Sequence, residues 1–411
     1  MLDIKFIREN VDLVKSSTKN KGFDETVVDK LIQVDIERRR LIGQTEEIRA
    51  KRNKLTKDDI EEGEKLKVEL KEIEEKLKTV EVEFNELINL VPNPASSDVK
   101  VGKGEVENEI IKTWGELTKF IFNPKDHVEI GKNLGILDFE TGAKVSGSQF
   151  YYLYGDGAML ELALVQYAFE LLSKEGFRPV ITPDLAKSKY YLGTGYAPKG
   201  VEAQTYEIND SDLGLIATAE VTLAGSHADE VIPESALPLK YIGYSHCFRQ
   251  EGGSYGKYSR GLYRVHQFTK AEMFIYCKPE DSLGFHDYLL EMEEKIYQGL
   301  GIPYRILKQC TGDLGAMAAR KFDVEAWMPG RNDYGEITST SNCTDYQARN
   351  LNIKYKKKNG ETEYIHMLNG SAIATSRTII AILENFQNED GSVNIPTVLQ
   401  KWMGKEKIVA R

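Results

Sequence analysis

The chain has 411 residues and a formal net charge of −10, from 54 basic and 64 acidic side chains. That acidic excess works against nucleic-acid binding over the whole surface, so any such contact must use a local basic patch. Hydrophobic residues make up 41%, enough for a sizeable core. No run of about 18 apolar residues marks a transmembrane helix, and no membrane contact is expected. The length suggests two or three domains.

The opening Met1-Leu2-Asp3-Ile4-Lys5 is too polar for a signal peptide. The four cysteines, Cys247, Cys277, Cys310 and Cys343, form no CxxC pair. This argues against a disulfide framework and against a zinc site made of close pairs, so no structural zinc is expected. A cytoplasmic location fits.

Residues 1–27 predict a short helix over 4–15 and a polar turn. From there to about residue 92 the chain is charged, almost free of glycine and proline, and periodic. Leu66, Leu70, Ile73, Leu77, Val80, Phe84 and Leu87 form an a/d seam. Val34, Leu41, Ile48 and Leu55 recur at every seventh residue, with Arg38, Thr45 and Arg52 at the alternate positions. The intervening Leu55-Thr56-Lys57-Asp58-Asp59 is a break with helix-capping residues. The pattern predicts an antiparallel helical hairpin over about 28–90, each helix about 40–45 Å long.

Charge on this arm is uneven. Arg38, Arg39, Arg40, Arg49, Lys51, Arg52, Lys54 and Lys57 face only Glu46 and Glu47 within 38–57. Two readings stand at this point. One is a solvated coiled-coil face with i,i+4 pairs. The other is a basic strip that follows a phosphate backbone.

Pro92, Pro94 and Ala95-Ser96-Ser97 read as a linker. The expected division is 1–100 for an amino-terminal domain and 101–411 for the body. The body mixes a helix over 160–174, strands over 241–251, 261–276 and 333–339, and a helix over 374–387. Helices do not alternate with strands, and neighbouring strands resemble hairpins. An α+β fold with an antiparallel sheet is therefore predicted. No GxxxxGK[ST] loop is present, so a P-loop nucleotide site is not expected.

Period 2 along 241–251 puts Gly243, Ser245, Cys247, Arg249 and Glu251 on one face. Small residues there leave space for a ligand within reach of the charged pair, and an edge-strand salt bridge is the plainer alternative. The segment 252–260, with Lys257 and Arg260, reads as a long hairpin loop. The returning strand carries Arg264, His266, Phe268, Lys270 and Glu272 on one face, which suits base stacking and amine binding. His266 reads best as a satisfied buried histidine. Glu336 and Ser339 have the chemistry of Mg²⁺ ligands beside phosphates. An ideal strand would point them to opposite faces, so a bulge or bend is required. Arg377 lies early in a helix, where an anion also meets free N–H groups.

Phe248-Arg249-Gln250-Glu251, the glycine-rich loop, and Arg264-Val265-His266-Gln267-Phe268 with Glu272 resemble motif 2 of class II aminoacyl-tRNA synthetases in its seryl form. Residues 176–183 resemble motif 1, and 369–385 resemble motif 3. Thr218-Ala219-Glu220, Ser341-Asn342-Cys343 and Tyr346-Gln347-Ala348-Arg349 are similar to the seryl type as well. The likeness covers nearly the whole chain, the arm included.

The resemblance implies a class II antiparallel sheet, a homodimer, and a ligase that uses ATP with Mg²⁺ to activate L-serine and charge tRNA(Ser). It implies that Arg249 holds the α-phosphate, Glu251 meets the adenine amino group, Phe268 stacks on adenine and the main chain at Val265 touches the nucleotide. Glu336 and Ser339 would serve Mg²⁺ and phosphates, and Arg377 the γ-phosphate. Thr218, Glu220, Glu272, Asn369 and Ser371 would bind serine. Arg38, Arg39, Arg49 and Arg52 of the arm would contact tRNA. Two departures are visible: Tyr258 stands where the family usually has an acidic residue, and the arm is short near its tip. An amino acid:carrier-protein ligase would lack the arm. A non-catalytic tRNA-binding or regulatory paralogue would have lost Arg249, Glu251, Glu336 or Arg377, and all four are present.

Overall fold

A computed structural model describes residues 1–56, 58–196, 205–251 and 261–410. Lys57 of the basic strip and the loop 252–260, with Lys257, Tyr258 and Arg260, lie outside the described residues. The chain divides into two units, Met1–Ala95 and Ser96–Arg411.

The first unit opens with two short helices, Ile4–Glu9 and Val11–Asn20, where the sequence predicts one over 4–15. Asn10 makes the break. Its side-chain amide donates to the Phe6 carbonyl at 3.0 Å, competing with the helical ladder. Two long helices follow, α1 (Thr26–Arg52) and α2 (Ile60–Leu90). Leu41 and Ile48 of α1 bury against Leu66, Leu70 and Ile73 of α2, with Leu55, Leu77 and Val80 partly buried beside them. The helices run antiparallel, since Arg38 meets Glu81 at 3.7 Å while Arg49 meets Glu74 at 2.9 Å. Ile88 is buried at the seam's end and Leu87 is only partly buried. A straight helix drifts about 20° per heptad against a strict seven-residue repeat, which shifts the buried position by one. Between the helices Asp59 accepts hydrogen bonds from the Thr56 N–H and hydroxyl at 2.8 and 2.7 Å.

The second unit is built on an eight-stranded sheet. Its strands are β1 (Glu109–Trp114), β2 (Arg178–Ile181), β3 (Leu239–Phe248), β4 (Gln267–Cys277), β5 (Tyr304–Lys308), β6 (Arg320–Met328), β7 (Asp333–Asn342) and β8 (His366–Ala374). They lie in the order β1-β5-β6-β7-β8-β4-β3-β2. Every pair is antiparallel except β2, which joins β3 in parallel at the edge.

Strand β4 shows how alternation divides the sheet. Ala271, Met273, Ile275 and Cys277 enter the main core with helices α3 (Asp156–Lys174), α5 (Ser282–Leu300) and α6 (Thr375–Asn385). Phe274 and Tyr276 face the other way and pack on Ala219 and Leu223 of the short helix α4 (Ala219–Gly225). Lys270 and Glu272 share that second face, beyond the end of this cluster, and there the sheet opens into a cavity.

Two sequence expectations change. Strand β3 stops at Phe248, so Arg249 and Glu251 follow the strand rather than ending it, and Glu251 has φ 46. Strand β4 starts at Gln267, after a 3-10 turn at Gly261–Tyr263, so Arg264 and His266 precede it.

Candidate active site

Two breaks in register shape the cavity floor. Between β6 and β7, Val324 opposes Thr338 while Glu325 opposes Glu336, leaving Ile337 as an extra residue. That bulge returns Glu336 and Ser339 to one face. Between β4 and β8, Ala271 opposes Ile373 while Glu272 opposes Ser371, with Ala372 extra. Ser371 thereby stands beside Glu272.

The cavity, about 470 Å³, brings together Glu220, Arg249, Glu272, Glu336, Asn369 and Arg377. Ser339 and Ser371 also line it. A second cavity, partly sharing these walls, adds Val265, Phe268 and Tyr263.

One end is cationic. The Arg249 guanidinium lies 5.3 Å from the centre of the Phe268 ring. The Arg377 guanidinium lies 4.8 Å from the centre of the Tyr263 ring and pairs with Glu336 at 3.1 Å. Burial works to raise the Glu336 carboxyl, but Arg377, Lys321 and Arg249 outweigh it and hold it below its usual range. Glu251 pairs with Arg264 at 3.0 Å.

The other end is anionic. Glu220 is 3% exposed. One of its oxygens accepts from Gln347 Nε2 at 2.7 Å and Asn369 Nδ2 at 3.0 Å, and the other from the Tyr196 hydroxyl at 3.0 Å. Burial still pushes its carboxyl up. The fully buried Thr218 caps α4, its hydroxyl accepting from the Glu220 N–H at 3.1 Å. Glu272 is 2% exposed and pairs with Lys270, its neighbour on the same strand face, at 2.6 Å.

Three details differ from the sequence reading. The small residues of β3 do not leave open space throughout. A Cβ on Gly243 would meet Leu223 Cδ1 at 2.9 Å and Ala219 Cβ at 3.2 Å, so α4 fills that place. Asn369 braces Glu220 as well as lining the cavity. His266 hydrogen-bonds through Nδ1 to the Arg249 carbonyl at 2.9 Å and accepts from the Arg249 N–H at 3.0 Å, so it positions Arg249. Sequence reasoning missed Tyr196 and the clamp made by Gln347. Gln347 lies in a quoted seryl-type segment, while Tyr196 carries no local signal.

The residues fit Mg²⁺. This ion takes one or two protein oxygens and keeps substrate phosphates and waters as its other ligands. Glu336 and Ser339 now share a face, with Asp323 opposite Ser339 across the β6–β7 pair.

Comparison with known proteins gives the family. Residues 1–95 match the family model for the seryl-tRNA synthetase N-terminal domain. Residues 203–386 match the core domain of class II tRNA synthetases for G, H, P, S and T. The chain is 52% identical over 421 residues to a serine–tRNA ligase of Dictyoglomus turgidum, covering 99% of each. Its structure is similar to the seryl-tRNA synthetase of Pyrococcus horikoshii complexed with ATP, with TM-score 0.95, 39% identity and 100% of both chains covered. It is also similar to the cytoplasmic serine–tRNA ligase of Naegleria fowleri in complex with AMP, with TM-score 0.90, 37% identity, and 100% of this chain and 99% of that one covered.

Proposed function

The chain belongs to the seryl-tRNA synthetase family, and from that premise we propose that its cavity joins L-serine to ATP and then passes the seryl group to the 3′ end of tRNA(Ser). One observation carries this reading: two cavities that share walls have carboxylates at one end and cations beside an aromatic ring at the other. An amino acid's ammonium suits the first end and a nucleoside triphosphate the second. The ATP and AMP held by the two similar structures support ATP as the co-substrate.

Glu220 and Glu272 take the serine ammonium, with Thr218 and Asn369 fixing Glu220. Ser371 and Glu272 meet the serine hydroxyl. Phe268 stacks on adenine, Glu251 binds its amino group, and the Val265 main chain lines its edge. A serine carboxylate oxygen attacks the α-phosphorus in line, and pyrophosphate leaves. Arg249 stabilises the charge that develops at the α-phosphate, and Arg377 holds the γ-phosphate. Glu336 and Ser339 would hold Mg²⁺, which would supply positive charge to the phosphates. The chemistry requires no protein nucleophile.

The first unit serves tRNA. Arg39 and Arg52 of α1 are exposed and form no ion pair among the described residues, whereas Arg38 and Arg49 pair with glutamates of α2. A homodimer forms along β2, the sheet's edge strand, where Ile181 is 80% exposed. Among the described residues no helix is long and apolar enough to cross a membrane. The four cysteines are buried and free, which supports a cytoplasmic setting. Serine-dependent ATP–pyrophosphate exchange, run beside charging of tRNA, tests the reading.

A further inference from the structure

Five cations among the described residues line the main cavity: Arg249, Arg264, Lys270, Lys321 and Arg377. Three are already held by carboxylates of the wall: Arg264 by Glu251 at 3.0 Å, Lys270 by Glu272 at 2.6 Å, and Arg377 by Glu336 at 3.1 Å. Arg249 and Lys321 form no ion pair among the described residues. Arg249 has its partner in the α-phosphate. Lys321 has no assigned partner.

Lys321 stands on β6 opposite Ser341 of β7. Asp323, two residues along the same face, stands opposite Ser339. Lys321 therefore borders the surface that Glu336 and Ser339 offer to phosphates. Burial works against its charge, but Asp323, Glu336 and Asp313 outweigh that and raise its pKa above the usual lysine value. Gln309 Nε2 donates to Asp323 Oδ2, which fixes that carboxylate from behind. The result is a charged ammonium on a strand, with its side-chain hydrogen-bond donors unused among the described residues.

We propose that Lys321 is a further catalytic residue of adenylation, donating hydrogen bonds to the pyrophosphate oxygens as they take up charge. The inference rests on the adenylation reading of this cavity. In that step the bond from a serine carboxylate oxygen to the α-phosphorus forms. The bond from the α-phosphorus to the bridging oxygen of the β-phosphate breaks. Its electron pair leaves with pyrophosphate, and no proton moves. Negative charge therefore grows on the pyrophosphate side, where an ammonium in no direct ion pair among the described residues has no contact to release before it acts. Lys270 would first have to leave Glu272.

The test is ATP–pyrophosphate exchange by the full-length protein, comparing native Lys321 with Lys321→Met, Lys321→Gln and Lys321→Arg. The Met and Gln variants should lose about 10²-fold in kcat, the scale of removing one preorganised donor. Their KM for pyrophosphate should rise while KM for serine stays within about twofold of native. Lys321→Arg should recover at least about a tenth of native kcat. KM values do not depend on the folded fraction, and Gln keeps a polar side chain should Met prevent folding. Unchanged kcat and pyrophosphate KM would overturn the proposal. So would a rise in serine KM alone, or a loss confined to transfer from preformed adenylate to tRNA. Absence of serine-dependent exchange in the native protein would sink both this inference and the reading beneath it, whereas failure of the variants alone touches only Lys321.

Discussion

The Ser371 hydroxyl donates to Glu272 Oε2 at 3.2 Å, across the break in register between β8 and β4. The same carboxylate oxygen is paired with Lys270 at 2.6 Å, so Glu272 stays fixed when Ser371 is changed. A pocket built from these groups should reject alanine by roughly 10⁴, because its polar atoms would be left unpaired. Threonine keeps the hydroxyl and is excluded only by crowding, worth about 1–3 kcal/mol. Ser371→Ala should lower serine activation and shrink the disadvantage of threonine. Exchange rates with the three amino acids on both proteins measure this. An unchanged serine-to-threonine ratio would remove Ser371 from the side-chain pocket.

Arg249→Ala should cost about 3–4 kcal/mol in adenylation, or a factor of 10²–10³ in rate. The backbone brace between Arg249 and His266 does not involve the guanidinium, so the loop should hold its place. Pre-steady-state adenylate formation reads the loss directly. Activity within a few-fold of native would mean that the α-phosphate lies elsewhere.

On the arm, the double change Arg39→Ala with Arg52→Ala should weaken tRNA charging and leave exchange intact. Each lost phosphate contact should reduce the slope of log affinity against log salt by about 1. Removing the outer arm should have the same selectivity. The excision is best kept beyond Asp35, which is 1% exposed and pairs with Arg8 at 3.2 Å inside the first unit. Tight tRNA binding with an unaltered salt slope in the double variant would show that the strip is only a solvated face.

Glu293 of α5 offers a stability prediction. It is fully buried, with one oxygen accepting from the Thr338 hydroxyl at 3.0 Å. Burial pushes its carboxyl well above the usual range, so the folded chain keeps a proton there. The unfolded chain releases that proton above about pH 4.3. The unfolded state then binds fewer protons, and stability falls as pH rises from there through the folded pKa. Glu293→Gln removes this dependence. Its melting temperature should gain on the native protein steadily between about pH 5 and about pH 8. A difference that stays constant across that range would show an ionised Glu293 in the fold.

Much of this was legible in the chain where local periodicity decides. The Leu66–Leu70–Ile73 seam and the alternation of Lys270 and Glu272 against Ala271 and Met273 follow from helical and strand repeats. The need for a bulge or bend between Glu336 and Ser339 is legible in the strand repeat, and Ile337 supplies it as a bulge. What escaped depends on contacts between distant segments. The Tyr196, Gln347 and Asn369 donors on Glu220 come from three separate segments and leave no spacing to read. The filling of the space over Gly243 by α4 was hidden for the same reason. So was the partnering of Arg38 and Arg49 by α2, since a helix face does not declare which charges its neighbour will meet.

ATP–pyrophosphate exchange by the native protein with each of the twenty amino acids in turn tests serine activation most directly. Strong exchange with serine, weaker exchange with threonine and almost none with alanine are expected. Strong exchange with a different amino acid, or none with serine, would contradict it.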